Sequence, residues 1–402
     1  MQYEPSWVDT VDFDQIRSFR LERARAAMDR HGLDAVVAFE YANGRYLAGL
    51  RPLWAPNFML RQAAVITANS DRVICMVHLD DTPHRRQTMP WLDQADIRPF
   101  PTGVLLDGAP PEALAPLRDA LLELGFAGGR IGVDIWTPTA AGHLTGLLPN
   151  AEIVDANPAM FAARAVKSPG EVELVRWASQ VVDEAMKVAI DLAQQPGIRE
   201  CEILAEAMGV FYRFGAEVPQ CNLVVCTGEN TAPMQRFAGD TKVAEGDIVF
   251  MDIGACFNGI FSEATRTVAC GEPNQQQRSI YRHVHELHLA MIEMLRPGVR
   301  AVDIQKRVAE LHSGGPYDGY MQKMIVIHGI GVGYAEPPFI APPGGRVTDL
   351  VLEEGMTLAV VPTIVVPGVP GGGGVRLEDV IHVGAAGAEW LTQPEFDDQL
   401  LG

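Results

Sequence analysis

None of the chain's six cysteines falls in a CxxC pair. Cys75, Cys201, Cys221, Cys226, Cys256 and Cys270 are scattered over 402 residues, so reduced, buried thiols are expected and a disulfide framework is not. No run of Lys and Arg occurs, and the formal net charge is −19. A nucleic-acid partner needs a basic face, which this composition excludes, and the acidic balance disfavours anionic membrane surfaces. No apolar run is long enough to span a bilayer, and the N-terminal MQYEPSWVDTVDFDQ lacks the apolar centre of a signal peptide. A cytoplasmic protein is expected. No repeat appears at solenoid or propeller spacing.

Composition is otherwise that of an ordinary globular chain, 48% hydrophobic and 21% charged, and the length predicts two domains. Residues 14–32 have helical periodicity and end at Gly32, a residue suited to a helix C-terminus. LDAVVAFE, RQAAVITAN, RVICMVHL, GRIGVDI and AEIVDA read as strands, with helices over 112–125 and 138–147. This alternation predicts an α/β domain over residues 1–158, with 158–170 as the connection to a second domain over 159–402. There a long helical pattern starts at Glu171 and stops at Pro196-Gly197, and helices are predicted at 200–214, 275–295 and 301–312. The runs NLVVCTG, DIVFMDIGA, TRTVACG, MTLAVVPTIVV and VRLEDVIHVG group as a largely antiparallel sheet, giving an α+β domain.

Three segments of that domain carry candidate chemistry. In FMDIGACFNGIFSEATRT, Asp252 ends an apolar strand and Glu263 lies eleven residues on, past the turn Asn258-Gly259. A hairpin would bring the two carboxylates face to face, and a divalent metal is the simplest compensation for paired buried acids. In IVIHGIGVGYAEPP, His328 follows a strand and enters a glycine-rich turn; in GGGGVRLEDVIHV, Glu378 interrupts an apolar strand two residues after Arg376. Taken singly, each has an ordinary reading: surface turn acids, a packed core histidine, an Arg–Glu pair on a strand.

Together, in this order, the segments resemble the methionine aminopeptidase, prolidase, aminopeptidase P and creatinase superfamily, the pita-bread fold. The resemblance runs from about Lys167 to Glu389: ARAVKSPGEVELVRWA looks like the start of the catalytic domain and TGENTAP like the substrate-side loop. The N-terminal half looks, more loosely, like the creatinase/prolidase N-domain. In the family two Asp, one His and two Glu hold two metals. By resemblance Asp252, Glu263, His328 and Glu378 are the metal ligands here, with Glu263 in place of the second Asp and Val361 where the other Glu stands. Valine cannot bind metal. Two family histidines are also replaced, one by Gln235 (or Met234) and one by Ala335, ahead of a retained Glu336. YANGRYLAGLRPLWAPNFMLRQAAVI is similar to a segment of the family's dimethylsulfoniopropionate lyases, which also have Gln near the position of Gln235.

These departures lead to the expectation of a non-peptidase pita-bread enzyme, a hydrolase or less readily a lyase, cleaving a C–N or C–S bond in a small polar metabolite. Two alternatives stay open: an Xaa-Pro-type metallopeptidase with a single weak metal, and an inactive binding protein. His328, Glu263, Glu336 and Glu378 are the expected catalytic residues, and Gln235, Arg376, Trp54 and Arg61 the expected substrate contacts. One divalent transition metal (Mn, Fe, Co or Zn) is expected, with a metal-free site as the other option. A homodimer is implied by the resemblance. The histidines of RHVHELHLAMIE (His283, His285, His288) read as a polar helix surface, since the spacing is not HExxH, and DDTPHRRQ reads as a mixed-charge loop.

Overall fold

Asp12 caps the first helix by accepting the backbone N–H groups of Asp14 and Gln15, and Gly32, at φ 64°, closes it. In the computed structural model, which describes residues 10–51, 62–101, 110–219, 223–234 and 236–402, residues 12–164 and residues 165–402 fall in separate compact units. Among the described residues, no helix is long and apolar enough to cross a membrane.

The first unit runs α1 (Phe13–His31), β1 (Ala35–Ala38), α2 (Tyr41–Ala48), β2 (Gln62–Thr67), β3 (Ile74–His78), α3 (Thr82–Thr88), β4 (Ile97–Phe100), α4 (Ala115–Glu123), β5 (Gly129–Val133), α5 (Pro138–Leu147), β6 (Ala151–Asp155) and α6 (Asn157–Arg164). The strands form one mixed sheet in the order β4-β3-β2-β1-β5-β6. Its core is built from Val37, Val65, Met76, Phe100, Leu121 and Ile131. Asp134, just past β5, accepts the backbone N–H groups of Phe39, Glu40 and Ile135 and the Asn43 side chain at 2.8–3.0 Å, which ties the start of α2 to the sheet. Two sequence readings are corrected here. Residues 158–170 are not simply a connection: α6 packs on α1, and the unit's limit falls after Arg164, not at 158. The DDTPHRRQ stretch is largely helix, since Pro83 sits in the first turn of α3, where its missing N–H is harmless.

The second unit contains α7 (Pro169–Ala193), α8 (Glu200–Arg213), β7 (Val218–Pro219), β8 (Val224–Thr227), β9 (Ile248–Phe257), β10 (Ile260–Ala269), α9 (Gln275–Glu293), α10 (Ala301–His312), β11 (Ile327–Gly329), β12 (Glu336–Ile340), β13 (Thr357–Val360), β14 (Thr363–Val365), β15 (Gly374–Arg376), β16 (Asp379–Gly384), β17 (Gly387–Trp390) and α11 (Asp398–Leu401). The KSPGE stretch starts α7 with a reciprocal cap: Ser168 Oγ accepts Glu171 N–H, and the Glu171 carboxylate accepts Ser168 N–H. From there Ala178, Val182, Ala185 and Ala189 recur at helical spacing and bury one face of α7 against β9 and β10. A second, wholly antiparallel sheet has the order β12-β11-β13-β16-β17 and packs under α9 and α10. Within this unit, a short antiparallel bridge between Thr265 and Glu378 joins that sheet to the β10-β9-β7 sheet, in which β8 also pairs with β9.

Candidate metal centre

The centre starts from a two-residue hairpin. Asn258 and Gly259 both have positive φ (50° and 77°), the backbone that suits a tight turn between twisted strands. The resulting register sets Asp252 opposite Thr265 and Gly254 opposite Glu263. Opposed residues share a face, as do residues two apart, so Asp252 and Glu263 project from the same side. His328 enters from β11, opposite Ala359 of β13. Glu378 enters from the residue before β16, held by backbone hydrogen bonds to and from Thr265 at 3.0 and 3.2 Å.

The Nε2 of His328 lies 3.3 Å from Glu263 Oε1 and 3.6 Å from Glu378 Oε1. One donor atom from each of these three buried residues lies within 4.8 Å of the others. The Nδ1 of His328 is 3.1 Å from the Gly329 carbonyl, which can only accept, so Nδ1 carries a proton. With Nε2 unprotonated, the ring would present a lone pair to two carboxylates, an arrangement that a cation between them satisfies. Oε1 of Glu378 accepts no hydrogen bond among the described residues, whereas Oε2 accepts Thr265 Oγ1–H at 2.7 Å. The residues present therefore fit a metal: one imidazole and two carboxylates match a three-ligand catalytic site for Mn, Fe, Co or Zn.

Asp252 stands apart from this trio. Its Oδ2 lies 3.2 Å from Arg376 Nη1, while Arg376 Nη2 lies 3.6 Å from Glu378 Oε2. Burial pushes the Asp252 carboxyl up against the pull of Arg376. At Glu378 burial pulls the same way, but Arg376, His328 and Thr265 outweigh it and hold the carboxyl below its usual range. A cavity of about 120 Å³ opens over Glu263 and His328, walled by these two and Arg376 on its polar side and by Met324, Ile325, Ala335 and Val361 on its apolar side. The two lost family side chains thus leave apolar wall in their places.

Glu336 does not line this cavity. Its Oε1 pairs with Lys167 Nζ at 3.1 Å, both side chains buried. Two glycines of the His328 turn make room for the pair: a Cβ on Gly331 would lie 2.7 Å from Lys167 Cε, and one on Gly333 2.8 Å from Glu336 Oε2. Gln235, Trp54 and Arg61 lie outside the described residues. Sequence reasoning missed Thr265, which shares the face of Glu263, and Arg266, which donates to the Glu378 carbonyl at 2.9 Å. It also missed Glu200, whose carboxylate accepts Thr227 N–H, Asn230 Nδ2–H and Gly239 N–H and so holds the start and middle of the TGENTAP loop and the chain beyond it. The polar-surface reading of the α9 histidines is corrected for His288, which is fully buried. It continues the apolar stripe of Val284 and Met291, and its ring donates to Asp379 at 2.8 Å.

The pattern of metallopeptidase family M24 matches residues 173–385, and that of the creatinase/prolidase N-terminal domain matches residues 20–166. The chain is 32% identical over 232 residues to the Xaa-Pro dipeptidase of Pyrococcus furiosus, covering 58% of this chain and 64% of that one. It is 31% identical over 251 residues to a putative dipeptidase, YkvY, of Bacillus subtilis, covering 62% of this chain and 66% of that one. The matched stretches thus span somewhat under two thirds of these relatives. Among solved structures, an Xaa-Pro dipeptidase from Bacillus anthracis superposes with a TM-score of 0.78 at 24% identity, over 95% of this chain and 99% of the other. A dipeptidase from Pyrococcus horikoshii gives 0.77 at 26%, over 94% and 98%. These similarities overturn the expectation of a non-peptidase acting on a C–N or C–S bond of a small metabolite. That expectation gave decisive weight to four changed positions, Val361, Glu263, Ala335 and Gln235, yet three donors still converge, enough in number for one catalytic metal. The chain belongs to metallopeptidase family M24, within the creatinase/prolidase (pita-bread) superfamily, with a creatinase/prolidase-type domain ahead of its α+β domain.

Proposed function

We propose that this chain is a one-metal dipeptidase acting on Xaa-Pro-type substrates, with Glu263, His328 and Glu378 as the metal ligands. The observation that carries the proposal is the convergence of one imidazole nitrogen and two carboxylate oxygens within 4.8 Å at a small cavity. The relatives named as Xaa-Pro dipeptidases support the substrate class. A divalent metal bound there supplies Lewis acidity and lowers the pKa of water.

The chain's own residues do the rest. The Gly329 carbonyl fixes the His328 tautomer, and Thr265 fixes the Glu378 carboxylate. Glu263 lines the cavity and is the group placed to take a proton from the attacking water and pass it to the departing amine, a task without a histidine at position 335. Arg376 supplies positive charge beside Asp252 and Glu378. Met324, Ile325 and Val361 give the cavity an apolar wall suited to a proline ring. A cytoplasmic homodimer completes the reading.

The test is hydrolysis of Xaa-Pro dipeptides by purified protein with added Mn, Co, Fe or Zn, alongside metal analysis. Turnover with one metal per protomer is expected, reduced at least about 100-fold by His328→Ala or Glu378→Gln. Absence of turnover with all four metals, or full activity in His328→Ala, would overturn the proposal.

A further inference from the structure

Behind Glu378, and outside the cavity walls, lies a second set of buried polar groups that the proposed reaction does not use. Asp379 follows Glu378 directly in the chain. Its Oδ1 accepts hydrogen bonds from Arg266 Nη2 and Thr392 Oγ1, both at 2.9 Å, and its Oδ2 accepts one from His288 Nε2 at 2.8 Å. Arg266 in turn donates from Nη1 to the carbonyls of Thr265 (2.8 Å) and Glu378 (2.9 Å), and from Nη2 to that of Pro394 (2.7 Å). His288, Asp379, Arg266 and Thr392 are all fully buried.

We propose that His288 is a positioning residue for Glu378, acting through Asp379 and Arg266. The inference rests on the reading of Glu378 as a metal ligand. Arg266 is the guanidinium that grips the Glu378 backbone, and Asp379 is the carboxylate that orients Arg266. His288 supplies the donor on Asp379 Oδ2. Its own ring is held edge-on by Trp390 and Phe396, at centroid distances of 5.8 and 6.2 Å. Arg266 lies over the same Phe396 ring at 4.5 Å. A buried charged oxygen left without its donor is costly, so loss of the imidazole drives Asp379 to turn or shift. Glu378 is its immediate neighbour, on a backbone pinned by Thr265 and Arg266. Movement there displaces the carboxylate from His328. A histidine that only filled core volume would be replaceable by leucine without effect on the metal.

The experiment is titration of the full-length, metal-free protein with Mn²⁺ by calorimetry, for wild type, His288→Leu, His288→Gln and Thr392→Val. His288→Leu is expected to weaken Mn²⁺ binding about 10- to 100-fold, and His288→Gln, which keeps an N–H donor, to stay within about threefold of wild type. Should the leucine variant not fold, Thr392→Val removes another donor to Asp379 and is expected to weaken binding by about threefold or more. Wild-type affinity in His288→Leu (or in Thr392→Val standing in for it), or equal loss in the leucine and glutamine variants, would overturn the inference alone. Failure of the wild type itself to bind Mn²⁺ would overturn the underlying metal-ligand reading and this inference with it.

Discussion

The Nη1 of Arg376 lies 3.2 Å from Oδ2 of Asp252, and the aspartate is fully buried. The same guanidinium reaches toward Glu378, so one fixed cation serves two of the carboxylates that the family resemblance assigns to metal. Positive charge at this end of the centre is built into the chain. The trio of Glu263, His328 and Glu378 forms the other end.

Arg376→Met removes that cation and leaves Asp252 and Glu378 buried and uncompensated. Loss of one partner of a buried ion pair costs about 3–5 kcal/mol. The metal-free variant is therefore expected to unfold at markedly lower denaturant than wild type. Saturating Mn²⁺ should recover part of the loss, since ligand at 100 times its Kd stabilises by about 2.7 kcal/mol. Urea unfolding with and without Mn²⁺ measures both. Equal stability of variant and wild type without metal would show that Arg376 is not the compensating charge.

Val361→Glu restores a carboxylate at the cavity wall, where there is open space to receive it. Metal per protomer is expected to rise from one toward two, read by elemental mass spectrometry of protein dialysed against Mn²⁺. Without metal the variant should be less stable than wild type, because a fourth acid joins Asp252, Glu263 and Glu378. A count that stays at one would mean that more than the missing donor limits the site.

Lys167 and Glu336 form a buried pair between the start of the second unit and the turn after His328. Lys167→Met and Glu336→Leu should each cost about 3–5 kcal/mol, and the double variant far less than their sum, because only the single changes strand a buried charge. The peptidase activity of whatever folded double variant remains should stay close to wild type. A loss beyond about 100-fold in that folded protein would instead return Glu336 to the catalytic group expected from sequence.

Asp183 on α7 accepts the Gln393 N–H on both oxygens, at 3.1 and 3.0 Å. Burial pushes its carboxyl up to about 7 from an ordinary 3.8, with Asp379 and Glu184 raising it and the Gln393 N–H and Arg266 lowering it. Between these values the folded chain holds a proton that the unfolded chain has released. This group therefore lowers stability progressively as pH rises from about 4 to about 7, and the full penalty is present above that. Asp183→Asn cannot ionise. Its melting temperature relative to wild type should climb through this window and level off above pH 7, measured by thermal scans from pH 4 to 8. A relative melting temperature that falls across the window would contradict the assignment.

Much of the centre is legible in the sequence. Asn258-Gly259 between apolar strands announced the hairpin, and a hairpin determines which carboxylates share a face. KSPGE announced the start of α7 through a local cap. The order of Asp252, Glu263, His328 and Glu378 carried the family. The substitutions were equally visible, but their meaning was not. Val361, Ala335 and Glu263 suggested a change of reaction, while a triad of donors, which only folding brings within 4.8 Å, remains able to hold a metal.

Other features were not local at all. The α2 segment YANGRYLA is a weak helix former, held by Asp134 from far along the chain. Glu336 reads as a catalytic acid in the sequence, and its partner Lys167 lies 169 residues earlier. His288 was readable in principle, because it continues an apolar helical stripe, but its partner Asp379 was not. By itself the sequence determined the longer helices (α1, α7, α8, α9 and α10), the hairpin, the kinds of donor and the family, because periodicity, capping and turn chemistry act over a few residues. Which acid meets the metal, which meets Arg376 and which meets Lys167 was decided only by the tertiary structure, because a buried charge takes its partner from whatever packing brings within a few ångströms.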